Sequence, residues 1–256
     1  PGLGEWLQHR GSGLERWLAR QLLGRASLAL VLGQSLRRDA DYFQPRRLAV
    51  VPNGIADPGA PLPAPHQTVF EALFLGLCSE EKGLFAAIDA VTSANRHQAA
   101  AGSASRFRLV VAGPFADENC ADRFRQLAAA HPGMLRHVGF VAGEEKSQLF
   151  AASSCLLLPT HYAAEGMPLV ALEALAHDRP VIATRWRALP EIVTAEVGRL
   201  VAVGDATALA GALLDLQANA PSAGVCRAHY LAHHTMERHL SALRVALSSA
   251  LSARSS

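Results

Sequence analysis

Residues 157–184, LLPTHYAAEGMPLVALEALAHDRPVIAT, read as a strand, a loop, a helix and a second strand. An apolar run ends at Pro159-Thr160, a loop carries Glu165-Gly166, and Pro168 opens a helix over 168–177. Proline suits the first helical position, because its missing N–H would have been unpaired there anyway. The N–H groups of Leu169 and Val170 then fall in the first turn, where the helix gathers partial positive charge. A strand followed by a turn and a helix N-terminus forms a phosphate site. In open parallel sheets, ligands bind at such carboxyl ends of strands.

The same rhythm extends in both directions. Beyond a polar, proline-rich linker at 56–68, strands are expected at 70–77, 107–113, 137–141, 155–159, 180–184 and 199–203. Helices over 83–100, 121–131, 144–153, 168–177 and 206–219 separate most of them, the last capped by Asp205. Six strands alternating with helices define an α/β chain with a Rossmann-like, doubly wound parallel sheet over 69–220. A helical tail is expected over 222–251, within a final segment 221–256 that ends in SARSS. Ahead of the linker, residues 1–55 hold about one βαβ unit: a helix over 14–26, a strand at 27–33, a helix over 34–42 and a strand at 48–52. So small a unit cannot bury both faces of its strands, so it must pack on something else.

Composition narrows the function classes. Half of the 256 residues are hydrophobic and 18% are charged, as in ordered globular proteins. A net charge of +2 argues against nucleic-acid binding by phosphate neutralisation. The four cysteines, 78, 120, 155 and 226, are far apart without C-x-x-C spacing, which suggests neither disulfides nor zinc and fits a reducing compartment. No apolar run reaches the roughly 18–20 residues of a membrane span. A cytoplasmic place is expected, and work at an acidic membrane surface stays open. The start, Pro1-Gly2-Leu3-Gly4, lacks the features of a signal peptide and reads as a beginning inside a longer chain.

Glu165 and Glu173 bracket the predicted phosphate site. A carboxylate repels a phosphate, so their sensible partners are hydroxyls on either side of a diphosphate, those of a sugar and of a ribose. For two isolated glutamates, a loop charge and a solvated helix position would be the ordinary account. The surrounding string changes it. Glu165-Gly166-Met167-Pro168-Leu169-Val170-Ala171-Leu172-Glu173-Ala174 resembles the E-x7-E motif of retaining glycosyltransferase family 4, the GT-B glycosyl transferases of group 1. Asp178-Arg179-Pro180-Val181-Ile182-Ala183-Thr184 is similar to that family's G-x-P-V-V-A-T strand, and Leu189-Pro190-Glu191-Ile192-Val193 to its P-E-I-V turn. Val51-Pro52-Asn53-Gly54-Ile55, Glu81-Lys82-Gly83, Val111-Ala112-Gly113 and Val138-Gly139-Phe140-Val141 match other landmarks in family order.

The resemblance implies roles. Lys82 would stabilise charge on the leaving diphosphate and Glu165 would contact the donor sugar, the two forming the catalytic set. Backbone amides around Gly166, Met167, Leu169 and Val170 would bind sugar and phosphate, Glu173 the ribose, and Phe140 and Val141 would border the base. It also implies no cofactor and no metal, a nucleotide sugar as partner, and an acceptor of unknown kind: glycan, lipid or small molecule. Residues 1–55 would be the remnant of an acceptor-side N-terminal domain that is otherwise missing, leaving this chain as the donor-binding half, weakly active or inactive alone.

Two departures qualify the match. Leu77-Cys78 stands where the family usually has an Arg or Asn that helps bind the diphosphate, and Arg185-Trp186-Arg187 replaces a common Gly-Gly. That loop is expected to carry a substitute cation, to shape a different substrate site, or to be a surface loop around a half-buried Trp186. They keep alive a non-catalytic glycosyltransferase-like binding or partner subunit, beside an epimerase or phosphorylase of the same fold. His229, His233 and His234 are expected on a solvated helix face, and His161 is a minor candidate for a donor phosphate.

Overall fold

A computed structural model describes residues 2–24, 26–61 and 69–252. Residues 62–68 of the expected linker and 253–256 of the terminal SARSS lie outside the described residues. In chain order the elements are α1 (Leu3–Arg10), α2 (Gly13–Leu23), β1 (Ala29–Val31), a 3-10 turn (Gln34–Leu36), α3 (Arg37–Asp41), β2 (Leu48–Val50), β3 (Val69–Leu75), α4 (Leu84–Ala100), β4 (Arg106–Ala112) and α5 (Glu118–Ala130). There follow β5 (Leu135–Gly139), α6 (Gly143–Ala152), β6 (Cys155–Leu158), α7 (Leu169–Ala176), β7 (Val181–Thr184), α8 (Leu189–Ile192), β8 (Gly198–Val201), α9 (Ala206–Ala218), α10 (Val225–His233) and α11 (Met236–Ser252).

Strands β3 to β8 form one parallel sheet in the order β5-β4-β3-β6-β7-β8. Its inner strands are largely apolar because helices cover both faces, with Glu71, Arg106 and Arg108 toward the amino ends of β3 and β4. Side chains alternate between two cores. Ala72, Phe74, Leu109, Val111, Cys155 and Leu157 meet α4, α5 and α9 on one face. Leu73, Val110, Leu156 and Leu158 meet α6, α7, α8 and α10 on the other. The chain order reverses between β3 and β6, which opens a crevice at their carboxyl ends.

Several local expectations change. Pro168 is the N-cap of α7 rather than its first residue, with φ −66° and ψ 120°, while Leu169 and Val170 keep the free first-turn N–H groups. The P-E-I-V string forms the one-turn helix α8. The helix expected over 222–251 is two helices, and Cys226 and Tyr230 of α10 are buried in the second core. Asp178 explains how α10 starts. It takes a left-handed conformation at φ 58°, and its carboxylate accepts from the N–H groups of Gly224 and Arg227 at 2.6 and 3.1 Å.

Among the described residues of the first 55 are a small parallel pair, β1 beside β2, three α-helices and the 3-10 turn. Helix α1 is additional to the sequence reading. Its N-terminal turn is capped from a distance, Glu5 N donating to Asp39 Oδ1 at 3.0 Å. Helix α2 opens with a capping box between Ser12 and Glu15 but buries no residue, leaving Leu14, Trp17 and Leu22 exposed. The chain crosses between the two parts twice at one place. Ile55 N donates to His234 O at 3.0 Å and Met236 N to Ile55 O at 2.9 Å. His234 is buried there, against the expectation of a solvated face, because the end of α10 packs beneath this crossing.

Candidate functional site

Two loops leave the crevice. Residues 76–83 follow β3, and residues 159–168 follow β6. The first closes as a tight turn, Leu84 N donating to Ser79 O at 3.1 Å and Gly83 N to Glu80 O at 2.8 Å. Gly83 makes this possible. Its φ is +85°, and a Cβ there would stand 2.3 Å from Pro159 O. The loops are stitched together by His161 N, which donates to Glu81 O at 2.8 Å.

Lys82 and Glu165, one from each loop, meet at 2.8 Å, Nζ donating to Oε2. Thr160 Oγ1 donates to the same oxygen at 3.0 Å, and the Lys82 ammonium lies 4.6 Å from the Tyr162 ring centroid. The Glu165 side chain is only 8% exposed against 23% for Lys82, so the carboxylate is the more deeply set of the two. Glu173, one helical face further along α7, accepts from Lys146 Nζ of α6 at 2.6 Å. Leu169 and Val170 stand in the first turn of α7, one turn before Glu173.

The remaining sequence-selected residues divide. Gly166 lies beside Glu165 and lines a cavity of about 260 Å³ with Ala163, Glu165, Arg187 and, from the N-terminal part, Leu30–Leu32, Leu36 and Asp39. Met167 is buried, and its backbone meets the inter-lobe turn: Asn53 Nδ2 donates to Met167 O at 3.0 Å. Phe140 is 78% exposed at the end of β5, whereas the Val141 side chain is buried in the core. His161 is exposed at the loop. At the position of the first departure, Leu77 is 45% exposed and Cys78 is buried, its thiol pushed up to about 12 by burial and then by Cys120. Neither offers a cation.

Sequence reading passed over Lys146, Tyr162, Glu5 and Glu191. Lys146 sits in the ordinary polar string GEEKSQ, and only the two crossovers bring it to Glu173. Glu191 lay inside a matched motif but without a role. Its carboxylate accepts from Gln34 N, Ser35 N and Ser35 Oγ at 2.8, 2.9 and 2.6 Å, tying α8 to the N-terminal part. Burial works against its charge, but the Ser35 and Gln34 bonds outweigh it and hold the carboxyl below its ordinary range. Among the described residues, no group of three or more His, Cys, Asp or Glu is placed to hold a metal ion. No described helix is long and apolar enough to cross a membrane.

A doubly wound parallel sheet with two loops at its switch point, joined to a second lobe by two crossings, is a GT-B-type fold. The chain belongs to the family described as Glycosyl transferases group 1, which its residues 70–219 match. It is 32% identical over 165 residues to the putative colanic acid biosynthesis glycosyltransferase WcaL of Salmonella typhimurium, covering 62% of this chain and 36% of that one. It is 40% identical over 80 residues to the MMP alpha-(1->4)-mannosyltransferase of Mycolicibacterium hassiacum, 29% of this chain and 19% of the relative. The chain thus spans about a third or less of these relatives' length. Its fold is that of Anabaena Alr3699/HepE, solved with UDP and glucose, with TM-score 0.74 and 19% identity over 93% of this chain and 67% of that one. Sucrose-phosphate synthase from Thermosynechococcus elongatus superposes at TM-score 0.73 and 21% identity over 100% of this chain and 66% of that one.

Proposed function

We propose that this chain is the donor-binding half of a retaining family 4 glycosyltransferase, which moves a sugar from a nucleoside diphosphate to an acceptor hydroxyl. The observation that carries this reading is the Lys82–Glu165 pair at 2.8 Å, between the two loops of the switch point and beside the open N-terminus of α7. With a donor bound, the Lys82 ammonium turns to the diphosphate oxygens and Glu165 accepts from a sugar hydroxyl. Each charge then keeps a partner, and the carboxylate stays apart from the phosphates. Glu173 accepts from the ribose, and the Leu169 and Val170 N–H groups face the diphosphate.

In the reaction, the bond from the anomeric carbon to the diphosphate oxygen breaks. A bond to the acceptor oxygen forms on the same face, and the acceptor proton leaves with the diphosphate. Lys82 and the helix dipole stabilise the negative charge that develops on the leaving group. WcaL and the mannosyltransferase are named for sugar transfer, and Alr3699/HepE was solved with UDP-glucose, which supports the donor class. The acceptor side belongs to a further N-terminal domain. The exposed Leu14, Trp17 and Leu22 of α2 support its presence. One observation favours a second reading, a non-catalytic nucleotide-binding subunit: Leu77 stands exposed where a second cation would assist Lys82.

The test is a thermal-shift titration of the chain with UDP, GDP, ADP and their glycosyl esters. Ligand at about a hundred times its Kd stabilises by about 2.7 kcal/mol. A shift with one base, roughly halved in Glu173→Ala and weakened in Lys82→Ala, is expected. No shift with any nucleotide would overturn the donor-site reading. Transfer by a longer form carrying Glu165→Ala at an unreduced rate would overturn the catalytic role.

A further inference from the structure

The segment after β7, Arg185-Trp186-Arg187, has no part in the roles above, yet it is tied to the donor loop at two points. Trp186 Nε1 donates to Tyr162 O at 2.9 Å, and Arg187 Nη2 donates to Ala163 O at 2.7 Å. The other arm of the Arg187 guanidinium reaches the N-terminal part, Nη1 donating to Glu5 Oε2 at 2.8 Å. Glu5 is itself held, its N–H donating to Asp39 of α3. An unbroken polar line therefore runs from α3 through α1 to the loop that carries Glu165. Arg187 is 15% exposed and takes a left-handed backbone at φ 48°, a conformation that a non-glycine residue adopts at a cost. Ala163 and Arg187 also line two cavities at once. One is the cavity of about 260 Å³ beside Glu165, and the other, about 710 Å³, is lined by Trp6, His9, Arg10 and Glu81.

We propose that Arg187 is a positioning residue: it fastens the 162–166 loop to helix α1, so that the N-terminal lobe sets the place of Glu165, and it stands between the two cavities that it lines. The planar guanidinium is suited to this because its two arms bind two acceptors at fixed spacing, which a lysine ammonium does not reproduce. The loop-holding claim stands on these contacts alone; its consequence for a donor sugar rests on the donor-site reading above.

Hydrogen exchange of the ligand-free chain tests the first part. The amides of Tyr162 and Glu165 donate to Thr160 Oγ1 and Tyr162 O, so each reports on loop order. In Arg187→Ala these two amides are expected to exchange about tenfold faster or more, with those of β6 and β7 unchanged. Glu5→Gln, a milder change that keeps the Ala163 bond, should show a smaller effect in the same direction, and Arg187→Lys an intermediate one. Unchanged loop exchange overturns the proposal, and so does equal acceleration throughout the sheet, which would mark a general loss of stability.

The second part is read by titrating wild type and Arg187→Ala with UDP and UDP-glucose, GDP and GDP-mannose, and ADP and ADP-glucose. The affinity that the sugar adds to the bare nucleotide should fall about tenfold, the loss of one hydrogen bond to a charged group, with nucleotide affinity unchanged. An unchanged sugar contribution, or equal loss for both ligands, overturns the positioning role. If wild type binds none of the six, the donor-site reading fails, while the exchange result still decides whether Arg187 holds the loop.

Discussion

Gly83→Ala probes the join between the two site loops. At φ +85° an alanine costs about 1–2 kcal/mol from its backbone conformation alone. Its Cβ would also stand 2.3 Å from Pro159 O and 2.7 Å from Pro159 C, both backbone atoms at the end of β6. Restoring ordinary contact requires the loops to part by about 1 Å, and relieving overpacking of this kind costs about 1–3 kcal/mol more. The total comes to about 3 kcal/mol. At an unfolding slope of about 3 kcal/mol per molar urea, the midpoint falls by about 1 M. Gly102 supplies the control, with φ +68° and no atom within 4 Å of an added Cβ. Gly102→Ala should lower stability by the backbone cost only, about 1–2 kcal/mol. The same displacement pulls Lys82 from Glu165, so Gly83→Ala should also bind a nucleotide sugar about tenfold or more weakly, while Gly102→Ala binds normally. Equal midpoints for the two variants would refute the close-approach argument, and normal donor affinity in Gly83→Ala would refute the link from that approach to the site.

Two further outcomes follow from the ionised groups. Burial, then the neighbouring His229 and His233, lower the His234 pKa from 6.5 to about 4. The unfolded chain takes up this proton below pH 6.5 and the folded one only near 4, so the contribution to stability is whole above pH 6.5 and lost progressively on the way down to 4. Urea unfolding at pH 7 and 4.5 should show a loss of up to about 3 kcal/mol from this residue, reduced in His234→Asn; an unaltered pH slope in that variant would refute it. For the Lys146–Glu173 pair, partial exposure limits the coupling measured by a double-mutant cycle to about 1 kcal/mol. Glu173→Ala should nevertheless weaken nucleotide binding about tenfold, and wild-type affinity in that variant would refute its ribose contact.

Much of the six-stranded lobe is legible in the chain itself. The apolar runs at β3, β4, β6 and β7 are nearly uninterrupted, as strands covered on both faces require, and helical patterns separate them at crossover length. Helix α1 is not legible. It has two turns with a glycine inside, and its cap comes from Asp39, a residue 34 positions away from Glu5 in sequence. The break between α10 and α11 is hidden for a similar reason: a backbone pairing with Ile55 ends the helix, and no proline or glycine marks it.

At the site, sequence by itself placed Glu165 between a strand and a helix, though the helix begins at Leu169 rather than Pro168, because apolar periodicity and the string from Glu165 to Glu173 are local properties. The tertiary structure alone decided who meets whom. Lys82 and Glu165 lie 83 positions apart, and β3 and β6 bring them together only by being adjacent in the sheet. Arg187 and Glu5 lie 182 apart and meet because the lobes fold back on each other at the Ile55 crossing. An ion pair has an energy set by distance, and a sequence pattern carries no distance between charges that far apart along the chain.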